Sequence, residues 1–290
     1  MKNITLLFIV FFLSCSNKEN IKMSEKEQTL NYNYKQGFMK KTYFADYNFR
    51  GDFEIIFNGI SLKKNKETGV ISGLEYLNPY ISKSGKQTIT LNVKPLSGKI
   101  MPADVKDYYI DVVYTDNGEP SPINKVMRCS FPPIEKSVDS LAYTWEFDAD
   151  VPFEINILND AKSLTDEKPE NLLKDVLERY EEVHNYINNG NVNELMNLYK
   201  KSREREMISM YYDDAKKKEY NNQIQEHIIG GKSHMQPIKN YKLNISPNGK
   251  IVELENENGN SVLVADDGED ISRYGLQLYR SIKTGKLEVY

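Results

Sequence analysis

Apolar residues in this chain change their spacing once, between Asp160 and Pro169, and that change restricts the fold more than any other feature. From Lys41 to Ile157 they recur at every second position, as strands with one buried and one wet face require. Tyr43, Ala45, Tyr47 and Phe49 alternate with polar neighbours, and Arg50-Gly51-Asp52 reads as a turn. Phe53, Ile55 and Phe57 then read as the second arm of a hairpin. Ile89, Leu91 and Val93 lie between Ser84-Gly85 and Pro95. Tyr108, Ile110, Val112 and Tyr114 make another strand, closed by the turn signal Asp116-Asn117-Gly118. Further strands are expected at Met127 to Phe131, at Tyr143, Trp145 and Phe147, and at Phe153, Ile155 and Ile157. Each apolar face needs a partner, so these short antiparallel strands predict two packed sheets, a β-sandwich over residues 40–160.

Beyond Pro169 the spacing is helical: Leu172, Leu173, Val176, Leu177, Tyr180, Val183 and Ile187 share one face, and Gly190 is placed to end the helix. Asn191 and Glu194 have the spacing of a capping box for a second helix carrying Val192, Leu195, Met196 and Tyr199. So short a junction predicts an antiparallel helix pair. The charged stretch from Lys200 to Glu219 is expected to stay helical, which gives helices over 168–225 and a break at Gly230-Gly231. Strands are then expected at Tyr241 to Ser246, Lys250 to Asn256, Ser261 to Ala265, Tyr274 to Ile282 and Leu287 to Tyr290. Pro247-Asn248-Gly249, Asn258-Gly259, Asp266-Asp267-Gly268 and Thr284-Gly285 separate them, as in a β-meander over 240–290. Helices followed by an antiparallel sheet predict an α+β domain at 161–290, with the helices on one sheet face. The fold class is therefore mixed: a β-sandwich, then an α+β domain.

The first fifteen residues carry an address rather than a fold. Lys2 is positive, Ile4 to Leu13 is apolar apart from Thr5, and Ser14 and Cys15 close the segment. A run of about ten residues is too short for a bilayer core of roughly 30 Å, so it reads as a cleaved signal peptide. Ser14-Cys15 resembles the lipobox of bacterial lipoproteins, although Phe12 and Leu13 stand where that box has Leu and then a small residue. The resemblance implies a diacylglycerol on the Cys15 sulfur, cleavage between Ser14 and Cys15, and a fatty acyl chain such as palmitate on the new amine. It implies a membrane partner held through lipid, and Ser16 in place of Asp resembles outer-membrane sorting. Residues 1–14 are then the signal peptide, and 15–39, rich in Asn, Lys, Glu and Ser, a flexible tether. Net charge is −4 with no long block of either sign, which argues against a nucleic-acid partner. Cys129 is the second of two cysteines; with Cys15 lipidated it has no disulfide partner, and alternation with Met127 and Phe131 puts its thiol on an apolar face.

Two further resemblances are shorter. The run from Tyr180 to Leu195, with Gly190 followed by Asn191, looks like the opening of nuclear-transport-factor-2-like domains. In that family a cone-shaped sheet behind the helices encloses a pocket used for binding or catalysis. Ile56 to Leu62 with its Asn58-Gly59 turn, followed by Leu77-Asn78-Pro79-Tyr80-Ile81 and Ser84-Gly85-Lys86-Gln87, is similar to accessory sandwich domains of glycan-active enzymes. Such domains often bind nothing by themselves, so the resemblance makes a glycan only the second partner class.

Catalytic signatures are missing from the sequence. His184, His227 and His234 have no metal-ligand spacing, and no G-x-S-x-G elbow or phosphate-cradling glycine loop occurs. Asp266, Asp267, Glu269 and Asp270 around Gly268 lack EF-hand spacing and read as a solvated hairpin tip. No catalytic residue, metal or cofactor is expected. Trp145, between Tyr143 and Phe147, reads as core, whereas Tyr211, Tyr212 and Tyr220 fall outside the alternating faces and are the candidate partner-binding residues. The expectation is a membrane-anchored envelope lipoprotein that is non-catalytic and binds a protein partner, as an inhibitor or immunity-type factor does. The alternatives are an accessory glycan-binding lipoprotein, or an enzyme or small-molecule binder with its pocket in the α+β domain.

Overall fold

A computed structural model describes residues 34, 37–66, 70–95, 97–116 and 123–290. Ser14, Cys15, most of the tether and the Asn117-Gly118 turn lie outside the described residues. Eight strands form the first half: β1 (Lys41–Arg50), β2 (Asp52–Phe57), β3 (Ile60–Asn65), β4 (Val70–Tyr76), β5 (Gly85–Lys94), β6 (Tyr109–Asp116), β7 (Asn124–Ser130) and β8 (Leu141–Ala149). They pair antiparallel in two sheets, ordered β4-β1-β6-β7 and β3-β2-β5-β8. The alternation predicts the inner faces of β1, β2 and β5 correctly: Tyr43, Ala45, Tyr47 and Phe49 of β1 are buried with Phe53, Ile55 and Phe57 of β2 and Ile89, Leu91 and Val93 of β5, whereas on β8 Phe147 is buried, Trp145 only half-buried and Tyr143 exposed. Two apolar faces that bury each other make a β-sandwich.

Local pattern misled in two places here. β1 and β2 are not a hairpin, because each pairs within a different sheet and Gly51, at φ 110°, turns the chain from one sheet to the other. The true hairpin is β2 to β3, where Asn58 (φ 49°) and Gly59 (φ 74°) take the two left-handed positions of a tight turn. Phe153, Ile155 and Ile157 are buried but belong to no strand; the chain there closes the end of the sandwich and enters a 3-10 turn, Ile157–Asp160.

The second half holds α1 (Pro169–Asn189), α2 (Val192–Leu198), α3 (Lys200–Ser209) and α4 (Asp214–Gly230). Strands β9 (Lys242–Ile245), β10 (Val252–Glu255), β11 (Leu263–Asp266), β12 (Ile271–Tyr274), β13 (Leu278–Arg280) and β14 (Leu287–Val289) follow. Gly190 ends α1 at φ 70°, as the sequence predicts. The capping box does not form, since Asn191 makes no side-chain cap bond. The charged helix is broken rather than continuous: the chain turns at Tyr211, which has φ 57°, and Asp213 restarts it by accepting the Lys216 N–H at 2.8 Å. α4 then runs on to Gly230, beyond the expected end. Gly231 follows because a Cβ there would lie 2.3 Å from the Tyr274 hydroxyl.

The terminal strands are not one meander. A four-stranded sheet has the order β14-β13-β10-β9, while β11 and β12 form a separate hairpin. Hydrogen bonds from Gln236 N–H to the Val264 carbonyl and from Asp266 N–H to the His234 carbonyl tie that hairpin to the segment after α4. Leu172, Val176, Tyr180, Val183 and Ile187 of α1 pack on Val252, Leu254, Leu278, Leu287 and Val289, giving the α+β layer its own core. The two halves also share a core. Ile208, Tyr211, Ile251, Tyr279 and Tyr290 join the sandwich cluster rather than the helical one.

Candidate interaction site

The sharing of that core is visible in α3, the helix pressed against the sandwich. Its apolar stripe is weak, yet Arg203, Glu204 and Arg205 are buried with Ile208 and Ser209. Asn78, at the start of a 3-10 turn Asn78–Tyr80 and fully buried, donates to the Ser209 carbonyl at 2.9 Å and so joins α3 to the turn below β4. Burial of charge on this scale needs hydrogen bonds in return. Arg203 donates to Asn221 Oδ1 and to the Met196 carbonyl, and the Tyr220 hydroxyl donates to Glu206 at 2.6 Å.

Glu206 has its pKa raised, because burial outweighs the Tyr220 hydrogen bond and the Arg205 charge. A carboxyl whose folded pKa exceeds its unfolded value contributes stability below the unfolded pKa, and that contribution is lost as pH rises through the folded value. Glu206→Gln keeps an acceptor for Tyr220 without the charge. Its melting temperature should exceed that of the parent by about 2–4 °C at pH 7, the shift that roughly 1 kcal/mol produces in a protein of this size. Calorimetry at pH 7 and pH 3.5 checks this: the two proteins should converge at the lower pH, and equal melting temperatures at pH 7 would refute it.

The three candidate tyrosines do not lie together on a surface. Tyr211 is buried against Phe153 and donates to the Lys41 carbonyl at 2.9 Å, and Tyr220 is buried over Glu206. Tyr212 is half-buried, edge-on to Tyr220 with ring centres 5.4 Å apart. Tyr211 therefore ties α3 to the sandwich and Tyr220 ties α4 to α3, and neither is available to a partner. Cys129 is fully buried, and burial pushes its thiol up to about 12, so it is not a reactive thiolate. His227 lies against Tyr274, ring centres 4.4 Å apart and planes tilted by 33°, with its pKa lowered by burial, and His184 meets the Gln236 carbonyl. In the acidic tip, Asp267 accepts the Glu269 and Asp270 N–H groups at 2.9 and 2.8 Å, so its carboxylate is used in the turn. Among the described residues no cluster of His, Cys, Asp or Glu could hold a metal ion.

Tyr180 is buried in the core of the α+β layer, donating to the Leu276 carbonyl at 2.6 Å and accepting the Leu254 N–H at 2.8 Å. Two clefts, of about 350 and 310 Å³, lie along the junction of the halves. Lys64 sits in the first of them, 2.6 Å from Glu255, 3.6 Å from Glu253 and 3.8 Å from Glu54.

The surface that stands out is β4, an edge strand that sequence reasoning did not assign. Its outward side chains include Val70, Leu74 and Tyr76, which are 59%, 51% and 46% exposed, and Phe44 of β1 lies beside Tyr76. Its one charge, Glu75, turns inward and is paired with Lys63 at 3.5 Å. Exposed edges are ordinarily guarded by charge, and Lys most of all. Solvent-facing charges follow that rule on β7, with Lys125 and Arg128, on β8, with Glu146 and Asp148, and on β9, with Lys242. No protein-family model, curated protein or solved structure matches the chain.

Proposed function

We propose that the chain is a non-catalytic, lipid-anchored envelope protein that binds a protein partner by adding one of the partner's strands to β4. The unguarded apolar edge of β4 carries this reading. An incoming strand would satisfy the open backbone groups of β4 and cover Val70, Leu74 and Tyr76, the mode known as β-augmentation. The apolar run from Ile4 to Leu13, closed by Ser14-Cys15, supports the anchor. No helix among the described residues is long and apolar enough to cross a membrane; in this reading the acyl chains of Cys15 supply the attachment.

Leu74→Lys introduces the missing edge charge at a half-exposed position. Folding stability should stay within about 0.5 kcal/mol of the parent, as surface substitutions usually do. Covering a leucine contributes roughly 1.5–3 kcal/mol, so partner recovery should fall at least tenfold. The check is capture of the partner from detergent extracts of the native envelope, with a photo-crosslinker at position 74 and a control crosslinker at Tyr143 on β8. Crosslinking at 143 alone, or recovery unaffected by Leu74→Lys, would remove the proposal.

A further inference from the structure

The first junction cleft, of about 350 Å³, brings two cations into contact. Alternation along β2 turns Asp52 and Glu54 away from the buried Phe53 and Ile55, onto the outer face of the sheet. Cross-strand register sets Lys64 and Asn92 beside Glu54 on that face and Lys94 beside Asp52, and Lys66 directly follows β3. β9 adds Lys242 and Asn244 to the lining. Lys64 is engaged by Glu255, Glu253 and Glu54, and Lys242 pairs with Glu255 at 3.0 Å. Lys66 has no carboxylate partner among the described residues. Its Nζ donates to the Glu257 carbonyl at 3.2 Å and lies within hydrogen-bonding reach of the Lys242 amine.

Two ammonium groups in contact repel, and packing does not force this pair together, since Lys66 and Lys242 are both exposed. The Lys242 contact, with burial second, lowers the Lys66 pKa. An anion set between the two amines turns the repulsion into charge-assisted hydrogen bonds, and the compact charge of a lysine suits a phosphate group. Lys94 lines the same cleft, is exposed, and has no ion pair or side-chain hydrogen bond among the described residues. A phosphate group is far smaller than the cleft. The remaining lining mixes polar groups, from Asp52, Ser140 and Asn244, with apolar surface from Leu141 and Ala142. A sugar ring presents the same mixture of hydroxyls and apolar C–H faces. We propose that this cleft binds a small sugar phosphate, its phosphate among Lys66, Lys242 and Lys94 and its hydroxyls on Asp52, Ser140 and Asn244.

The test titrates the purified, nitrogen-15-labelled full chain with glucose 6-phosphate, inorganic phosphate and glucose at constant chloride. Saturable shifts of the Lys66, Lys94 and Asn244 amides are expected with both phosphate compounds, and none with glucose. Glucose 6-phosphate should bind at least about fivefold tighter than inorganic phosphate, the margin that one or two added hydrogen bonds supply. Lys66→Gln and Lys94→Gln, both at exposed positions, should each weaken glucose 6-phosphate by about fivefold or more. Lys86→Gln, exposed on the same sheet but outside this cleft, should leave its affinity unchanged. No saturable shift by about 10 mM of either phosphate compound would overturn the proposal, as would shifts confined to other residues or a Lys66→Gln variant that binds like the parent. Equal affinity for inorganic phosphate and glucose 6-phosphate would overturn the role given to the hydroxyls.

Discussion

Asn78→Ala is expected to lower the unfolding free energy by about 4 kcal/mol, since it orphans two buried backbone groups at once. The Asn78 carboxamide accepts the Tyr43 N–H at 2.8 Å and donates to the Lys41 and Ser209 carbonyls at 2.9 Å each. Lys41 keeps a second donor in the Tyr211 hydroxyl. The Tyr43 N–H and the Ser209 carbonyl would be left buried without these partners, at a cost of about 1–3 kcal/mol each. Proline at position 79 fixes the following turn, so the backbone has little freedom to close over the gap. Urea unfolding followed by the fluorescence of Trp145 would show a lower midpoint with an unchanged slope. Because Asn78 and Tyr211 meet at one carbonyl, Asn78→Ala and Tyr211→Phe should be non-additive by more than 0.5 kcal/mol, unlike distant pairs. A loss below about 1 kcal/mol would show that water replaces the carboxamide and that the joint between sandwich and α3 is not held here.

That joint was the part of the fold least legible in the sequence. The period-two and helical patterns locate β1, β2, β5, β6 and α1 because in each the burial direction repeats along the element itself. Which strand pairs with which is not encoded that way. A tight hairpin and a crossing between sheets both need one turn residue, so Gly51 served the second while looking like the first. α3 is the stronger case. Arg203, Glu204 and Arg205 lie in a charged stretch whose sequence shows no buried face, and they are buried where Asn78, Asn221 and Tyr290 approach from elsewhere in the chain.

The candidate interaction edge was hidden for the opposite reason. In β4 the outward positions carry Val70, Leu74 and Tyr76, whereas the inward ones carry Ile71, Gly73 and Glu75. Polarity is thus inverted relative to burial, and Glu75 is tolerated inside because Lys63 and the Tyr47 hydroxyl reach it. One signal was present: a strand-like run of seven residues with a single charge and no proline, in a chain that is 28% charged. Tyr211 and Tyr220 drew attention as tyrosines outside the strands, but their hydroxyls have partners within the chain, and a phenol so placed is a fastener before it is a binding group.

Lys64→Met should cost about 3 kcal/mol at pH 7 and less than about 1 kcal/mol at pH 3. Lys64 is 11% exposed and Glu255 6%, and removing one member of a buried pair leaves the other uncompensated. Burial raises the Glu255 pKa, but the hydrogen bonds and charges of Lys64 and Lys242 outweigh it, and the net shift is downward. Glu255 therefore contributes stability above its unfolded pKa near 4.5, and that contribution is lost as pH falls through the lower, folded value. Glu253 runs the other way: burial and the Glu255 charge raise its pKa against Lys64, Asn244 and Gln277. Without Lys64 the support for Glu255 shrinks to Lys242, 3.0 Å away, while Glu253 is raised further. Both changes make the variant lose ground as pH climbs from 3 to 7. Lys64→Arg retains the charge and should recover most of the deficit. Denaturant titrations at pH 3, 5 and 7 separate this from a packing defect, since lost packing of the lysine stem would cost the same at every pH, and a deficit independent of pH would rule out the electrostatic origin.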